Sequence, residues 1–102
     1  MTQQVQNILP LDVQQRLKNG EKLQIIDVRE PSEVATGKIP GAKNIPLSQL
    51  PHRLNEIDQR KEAIMVCRSG GRSMQACQFL IGQGYQVKNM MGGMLGWNWD
   101  VE

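Results

Sequence analysis

Apolar positions along the chain change their spacing several times, and each change marks an element. Near the N-terminus Val13 and Leu17 stand four apart, the spacing of one helix face. Asp12 is the expected cap of that helix, Arg16 and Lys18 suit its negative end, and Asn19-Gly20 supplies the stop. Leu23-Gln24-Ile25-Ile26-Asp27-Val28 is a nearly continuous apolar run with β-branched residues, which predicts a buried strand. Pro31 sits where a helix start tolerates proline, and a short helical turn is expected over 32–35. Ile39-Pro40-Gly41-Ala42 carries the residues of a tight turn, with proline fixing φ at the second position and glycine accepting a positive φ at the third. A brief strand at Asn44-Ile45 follows.

Ser48 is expected to cap the next helix, with Pro51 still inside its first turn and Leu50, Leu54 and Ile57 on one face. Ala63-Ile64-Met65-Val66 is the clearest central strand. Residues 73–83 form the clearest amphipathic helix, ended by Gly84; 86–90 offer a last strand and 94–99 a last short helix. Strands alternating with helices predict a three-layer α/β domain with a mostly parallel sheet. Parallel neighbours need crossovers, and these intervals are long enough to hold them. In such sheets the binding crevice lies beyond the carboxyl ends of the strands, which directs attention to the residue after Val66.

Composition narrows the field mainly by exclusion. A chain of 102 residues is read as one domain, 1–102, and 39% hydrophobic with 22% charged residues is ordinary globular usage. The longest apolar run, Ala63 to Cys67, is far too short to span a bilayer, and Met1-Thr2-Gln3-Gln4 does not open an export signal. A cytoplasmic protein with no membrane partner is the expectation. The net charge is only +2, and cations interleave with acids, as in Arg53, Glu56, Asp58, Arg60, Lys61 and Glu62. Aromatic residues are few (Phe79, Tyr85, Trp97, Trp99), so no nucleic-acid partner is expected. Two cysteines ten apart, one histidine and no Cys-x-x-Cys leave no ligand set for a structural zinc, and no metal is expected.

Chemistry concentrates in Val66-Cys67-Arg68-Ser69-Gly70-Gly71-Arg72-Ser73, which runs from a buried strand into a helix. Gly70 and Gly71 let the backbone turn so that successive N–H groups point inward as an anion-binding nest. The helix N-terminus adds partial positive charge, and Arg68 and Arg72 add two full ones. Each effect favours thiolate over thiol, enough to bring a cysteine from ~8.5 into the ~3.5–7.5 range of activated thiols. The same cradle suits an incoming anion and the charge that develops on attack.

Other residues attract plainer readings. Cys77 lies on the helix face shared by Met74, Leu80 and Ile81, where cysteine packs as a small hydrophobe. His52, the one imidazole, falls opposite Leu50, Leu54 and Ile57 and is expected to face solvent, so Cys-His catalysis is poorly supported. Gly92-Gly93-Met94-Leu95-Gly96 lacks dinucleotide-binding spacing and reads as a turn between strand and helix. Met90, Met91 and Met94 read as gap fillers.

Three segments together resemble a single-domain rhodanese, a sulfurtransferase. Asp27-Val28-Arg29-Glu30, with Glu33 and Gly37-Lys38-Ile39-Pro40-Gly41-Ala42-Lys43-Asn44-Ile45-Pro46, is similar to the family's first signature. Cys67-Arg68-Ser69-Gly70-Gly71-Arg72-Ser73 is similar to its active-site loop, and Gly92-Gly93-Met94-Leu95-Gly96-Trp97 to its closing segment. The resemblance implies a single rhodanese-like α/β domain with a mostly parallel sheet of about five strands flanked by helices. It also implies catalysis by Cys67, through a persulfide formed from thiosulfate and passed to a thiol or to cyanide. Arg68, Ser69, Gly70, Gly71 and Arg72 would cradle donor and persulfide; no cofactor is implied. Lys38 stands where the family often has histidine and Val34 where it often has an aromatic residue. For Asp27 and Arg29 a role in the site and a structural ion pair both stay open.

Two rivals are set against this reading. Cysteine phosphatases and arsenate reductases use Cys-x5-Arg loops, whereas only four residues separate Cys67 from Arg72. The smaller ring of amides suits a terminal sulfur better than a phosphoryl group. The alternative within the resembling family is a non-catalytic interaction module, or a carrier that delivers persulfide sulfur to a protein partner.

Overall fold

The computed structural model describes residues 4–102. Its sheet has five strands: β1 (Gln6–Ile8), β2 (Gln24–Asp27), β3 (Lys43–Asn44), β4 (Ala63–Val66) and β5 (Val87–Met90). They lie in the order β1-β5-β4-β2-β3, and every neighbouring pair is parallel. Three α-helices complete the frame: α1 (Pro10–Lys18), α2 (Pro31–Val34) and α3 (Gly71–Gly82). The α/β class with a five-stranded parallel sheet is the one expected from the sequence.

β4 occupies the centre, with Ile25 opposite Ile64 on one side and Ala63 opposite Val87 on the other. A strand covered on both faces has no solvated side to supply with polar residues, and all four of its residues are buried. Strand alternation then divides the core in two. Ile64 and Val66 join Val13, Ile25, Ile39, Met90 and Trp97 on the α1 face. Ala63, Met65 and Cys67 join Ile26, Leu50, Ile57, Ala76, Cys77 and Leu80 on the α3 face. Cys67 therefore continues the β4 alternation and turns toward α3.

Differences from the expected elements have local causes. The chain enters through an additional edge strand, β1, paired with β5 through Gln6, Asn7 and Ile8. The first helix starts at Pro10, with Leu9 in extended conformation as its cap, so Asp12 sits inside the first turn rather than before it. Proline at the first helical position loses only an N–H that has no partner there anyway. Instead of one helix over 48–57 there are two 3-10 segments, Leu47–His52 and Leu54–Glu56, interrupted at Arg53. Pro51 has no N–H to offer an α-helical ladder. Leu50 and Ile57 are nonetheless buried as their spacing required. The last helix shortens to a 3-10 turn, Gly93–Gly96, whose amides are taken up by the loop after β4.

Candidate active site

β4 delivers Cys67 to the carboxyl edge of the sheet, and the chain crosses Arg68 and Ser69 before α3 begins at Gly71. Gly70 caps that helix with φ +106°, a conformation open to glycine and strained for other residues. The turn aims the Gly70 N–H at Cys67 Sγ, 3.0 Å away. The thiol sulfur thereby takes up the N–H of the residue that caps α3. Ser73, in the first turn of α3, brings its hydroxyl to 3.3 Å from the same sulfur.

The loop is held from beneath by the Gly92-Gly93 segment. Met94 N–H donates to the Cys67 carbonyl at 2.8 Å, and Leu95 N–H to the Arg68 carbonyl at 3.0 Å. By its spacing alone this segment is a plain turn. In the structure its backbone is the floor of the cysteine loop. On the sheet side, Asn89 of β5 donates from Nδ2 to the Gly70 carbonyl at 3.2 Å and accepts the Ser73 hydroxyl on Oδ1. Neither Ser73 nor Asn89 was among the expected site residues. Its alternation with Val87 puts Asn89 on a core-facing position, and a polar residue there is the signal that could have found it.

Electrostatics follow from this packing. Burial alone pushes the Cys67 thiol up. The Ser73 hydroxyl and the N–H groups of Ser73, Gly70 and Ser69 more than offset that and leave it below the ordinary cysteine value. No arginine is among these leading influences. Arg72 is instead forked onto Glu33 of α2, with Nη1–Oε1 at 2.6 Å and Nη2–Oε2 at 2.8 Å. Its guanidinium responds first to that hydrogen-bonded partner and only later to the charge on Cys67. The same pairing, with the Glu30 N–H, draws Glu33 down to about 2. Cys77 is the opposite case: desolvation in the core, then the nearby Cys67 charge, push it up to about 12. It is buried, as its helix face required, and His52 is exposed.

Arg68 and Ser69 extend outward beside the sulfur and are exposed. Arg68 borders a surface cavity of about 370 Å³ with Arg29, Ser32, Glu33, Thr36, Met94 and Leu95. Cys67 itself has no exposed surface. Asp27 and Arg29 form a buried, forked ion pair, with Nη2–Oδ2 at 2.8 Å. Arg29 also donates to the Gly37 carbonyl at 2.8 Å, tying the end of β2 to the segment after α2. Lys38 donates to the Ala42 carbonyl at 2.8 Å, a local tie within the turn before β3. Among the described residues, no His, Cys, Asp and Glu side chains gather into a metal-binding group.

A parallel sheet whose central strand ends in a cysteine, enclosed by a short glycine-bearing loop of amides, defines the class of proteins to which this chain must be compared. The chain belongs to the rhodanese-like domain family, whose model matches residues 9–99. It is 43% identical over 84 residues to a sulfurtransferase of Allochromatium vinosum, a match covering 81% of this chain and 78% of that one. It is 30% identical over 84 residues to a thiosulfate sulfurtransferase of Shewanella oneidensis, covering 81% and 83% respectively. The crystal structure of a rhodanese-like domain protein from Staphylococcus aureus aligns with a TM-score of 0.91 at 32% identity, covering 96% of this chain and 97% of that chain. The family is one of sulfurtransferases and sulfur carriers. No helix among the described residues is long and apolar enough to cross a membrane.

Proposed function

We propose that this protein is a thiosulfate sulfurtransferase that works through a persulfide on Cys67. The observation that carries the reading is the Gly70 N–H set 3.0 Å from Sγ at the start of α3. Such a donor favours the ionised sulfur and stays in place while charge moves through it. In the first step the Cys67 thiolate attacks the outer sulfur of thiosulfate. The new S–S bond forms as the bond to the sulfonate sulfur breaks, and sulfite leaves with the electron pair. The charge that was on Sγ is then on the outer sulfur of the persulfide. In the second step an acceptor thiolate, of a small thiol or a protein, takes that sulfur and returns Cys67 to thiolate; cyanide does the same and leaves as thiocyanate. No cofactor and no net proton transfer are required.

Arg68, exposed on the cysteine loop, supplies positive charge for the dianionic donor, while the amides of Ser69, Gly70 and Gly71 receive the transferred sulfur. Arg72 contributes by holding the start of α3 against α2 through Glu33. The thiosulfate sulfurtransferase from Shewanella oneidensis supports thiosulfate as the donor. The test is intact-mass measurement after thiosulfate treatment. A reducible one-sulfur adduct on Cys67, absent in Cys67→Ser, is expected. An unmodified protein with a Cys67 that still reacts with small alkylating reagents would contradict the reading and favour a non-catalytic interaction module.

A further inference from the structure

Sulfur transfer as described leaves one buried polar side chain without a task. Asn89 sits on β5 opposite Met65 of the central strand and is 3% exposed. A buried amide costs free energy unless its hydrogen bonds are made, and here both ends make theirs on the nucleophile loop. Nδ2 donates to the Gly70 carbonyl at 3.2 Å, and Oδ1 accepts the Ser73 hydroxyl. A carbonyl can only accept, so the amide fits one way round, with Oδ1 fixed toward Ser73.

A serine hydroxyl has one proton to give. Within reach of Ser73 Oγ are Asn89 Oδ1, the Gly70 carbonyl at 3.2 Å and Cys67 Sγ at 3.3 Å. With Cys67 protonated, S–H donates to Ser73 Oγ, and the hydroxyl proton rests on Asn89. With Cys67 ionised, the sulfur needs donors and has none to give, so the hydroxyl turns toward it and Oδ1 loses its partner. With a second sulfur bonded, the charge sits on the outer atom and the hydroxyl is free to return to Asn89.

We propose that Asn89 is a positioning residue for the nucleophile. By competing with Cys67 Sγ for the single Ser73 hydroxyl proton, it ties the charge state of Cys67 to β5. The hydroxyl proton never leaves Ser73, and only its hydrogen bond changes direction; the thiol proton lost when Cys67 ionises passes to solvent. The inference rests on Cys67 being the nucleophile but not on the identity of the sulfur donor. Charged or titratable groups also surround the network: Arg68 and Arg72 on the loop and α3, Glu33 on α2, Asp27 and Arg29 at the end of β2, and Cys77 within α3. Their fields reach Asn89 with or without the Ser73 hydroxyl, and the experiment must separate the two routes.

The side-chain amide resonances of isotope-labelled Asn89 are followed against pH, without sulfur donor, in the wild type and in Ser73→Ala. The expected wild-type resonance shifts with the midpoint at which Cys67 becomes alkylatable. In Ser73→Ala, Cys67 still titrates, at higher pH, and the Asn89 shift largely disappears. A wild-type resonance that ignores the Cys67 midpoint, or a shift of equal size in Ser73→Ala, would overturn the proposal. Asn89→Leu gives a second reading: it displaces the alkylation midpoint in the wild type and less so in Ser73→Ala. Equal displacement in both would show that Asn89 acts through Gly70 alone and would also overturn it. Thiosulfate, added last at neutral pH, is expected to return the resonance toward its low-pH position. A normal pH response without that return would contradict thiosulfate as the donor and leave the Asn89 assignment standing.

Discussion

Gly93 lies directly under Cys67: a Cβ at position 93 would come within 2.5 Å of the Cys67 carbonyl oxygen and 2.6 Å of the Arg68 carbonyl. The floor of the site is thus made by the absence of a side chain, in a residue that also holds φ +57°. The glycine-rich segment and the cysteine loop form one unit, although α3 and β5 lie between them in the sequence.

Gly93→Ala is therefore expected to lose both fold stability and sulfur transfer. The strained φ alone costs about 1 kcal/mol, and the clash with backbone atoms adds to it. Thermal unfolding together with the rate of sulfur transfer from thiosulfate to cyanide measures both effects. Wild-type values for the two would show that the loop has room to move.

Asp27→Ala leaves the Arg29 guanidinium buried without its carboxylate. Breaking such a pair from one side costs about 3–5 kcal/mol, and denaturant unfolding reads the loss. A cost close to zero would mean that Arg29, now 5% exposed, escapes to solvent when its partner is removed.

Glu33 gives an acid-side prediction. Its carboxyl is drawn from 4.5 down to about 2, chiefly by the Arg72 hydrogen bonds. A depressed carboxyl pKa adds stability above the unfolded value, and that contribution fades as pH falls toward the folded one. Glu33→Gln should therefore differ most from the wild type above pH 4.5 and converge with it as pH approaches 2. Unfolding curves collected across that window check the convergence; a constant offset would place the effect elsewhere.

The two arginines of the loop are expected to separate in kinetics. Arg68→Ala should raise the KM for thiosulfate with little change in the Cys67 alkylation midpoint, because Arg68 is exposed and is not among the groups holding the sulfur. Arg72→Ala should lower stability, since it releases Glu33. Steady-state assays with thiosulfate and cyanide, alongside unfolding, distinguish them. Equal KM effects from both would return Arg72 to direct donor binding.

What could be read beforehand follows the range of the forces involved. β4 and α3 were legible because four consecutive apolar residues and a helical stripe through Met74, Cys77, Leu80 and Ile81 leave their period in the sequence; the structure buries Cys77 and Leu80 of that stripe, together with Ala76, and leaves Met74 and Ile81 half-buried. β1 was not, because Gln6 and Asn7 are exposed edge residues and only Ile8 reaches the core. The 48–57 stretch showed the right inward positions but the wrong helix, since Pro51 acts on backbone hydrogen bonds and leaves the spacing of Leu50 and Ile57 untouched. At the site, the cysteine, its glycines and the helix behind it are contiguous and announced themselves. The Arg72–Glu33 fork, the Gly93 floor and the Ser73–Asn89 bond join distant segments, and no local pattern encodes such meetings.

The most direct test of the account is the pH dependence of Cys67 alkylation in the folded protein, with Cys77 silent because burial holds it near 12. The loop amides and the Ser73 hydroxyl predict a midpoint below the ~8.5 of a free cysteine, moved upward in Ser73→Ala. A wild-type midpoint at or above that reference value would mean that burial outweighs the donors, and that the sulfur at the end of β4 is not the nucleophile described here.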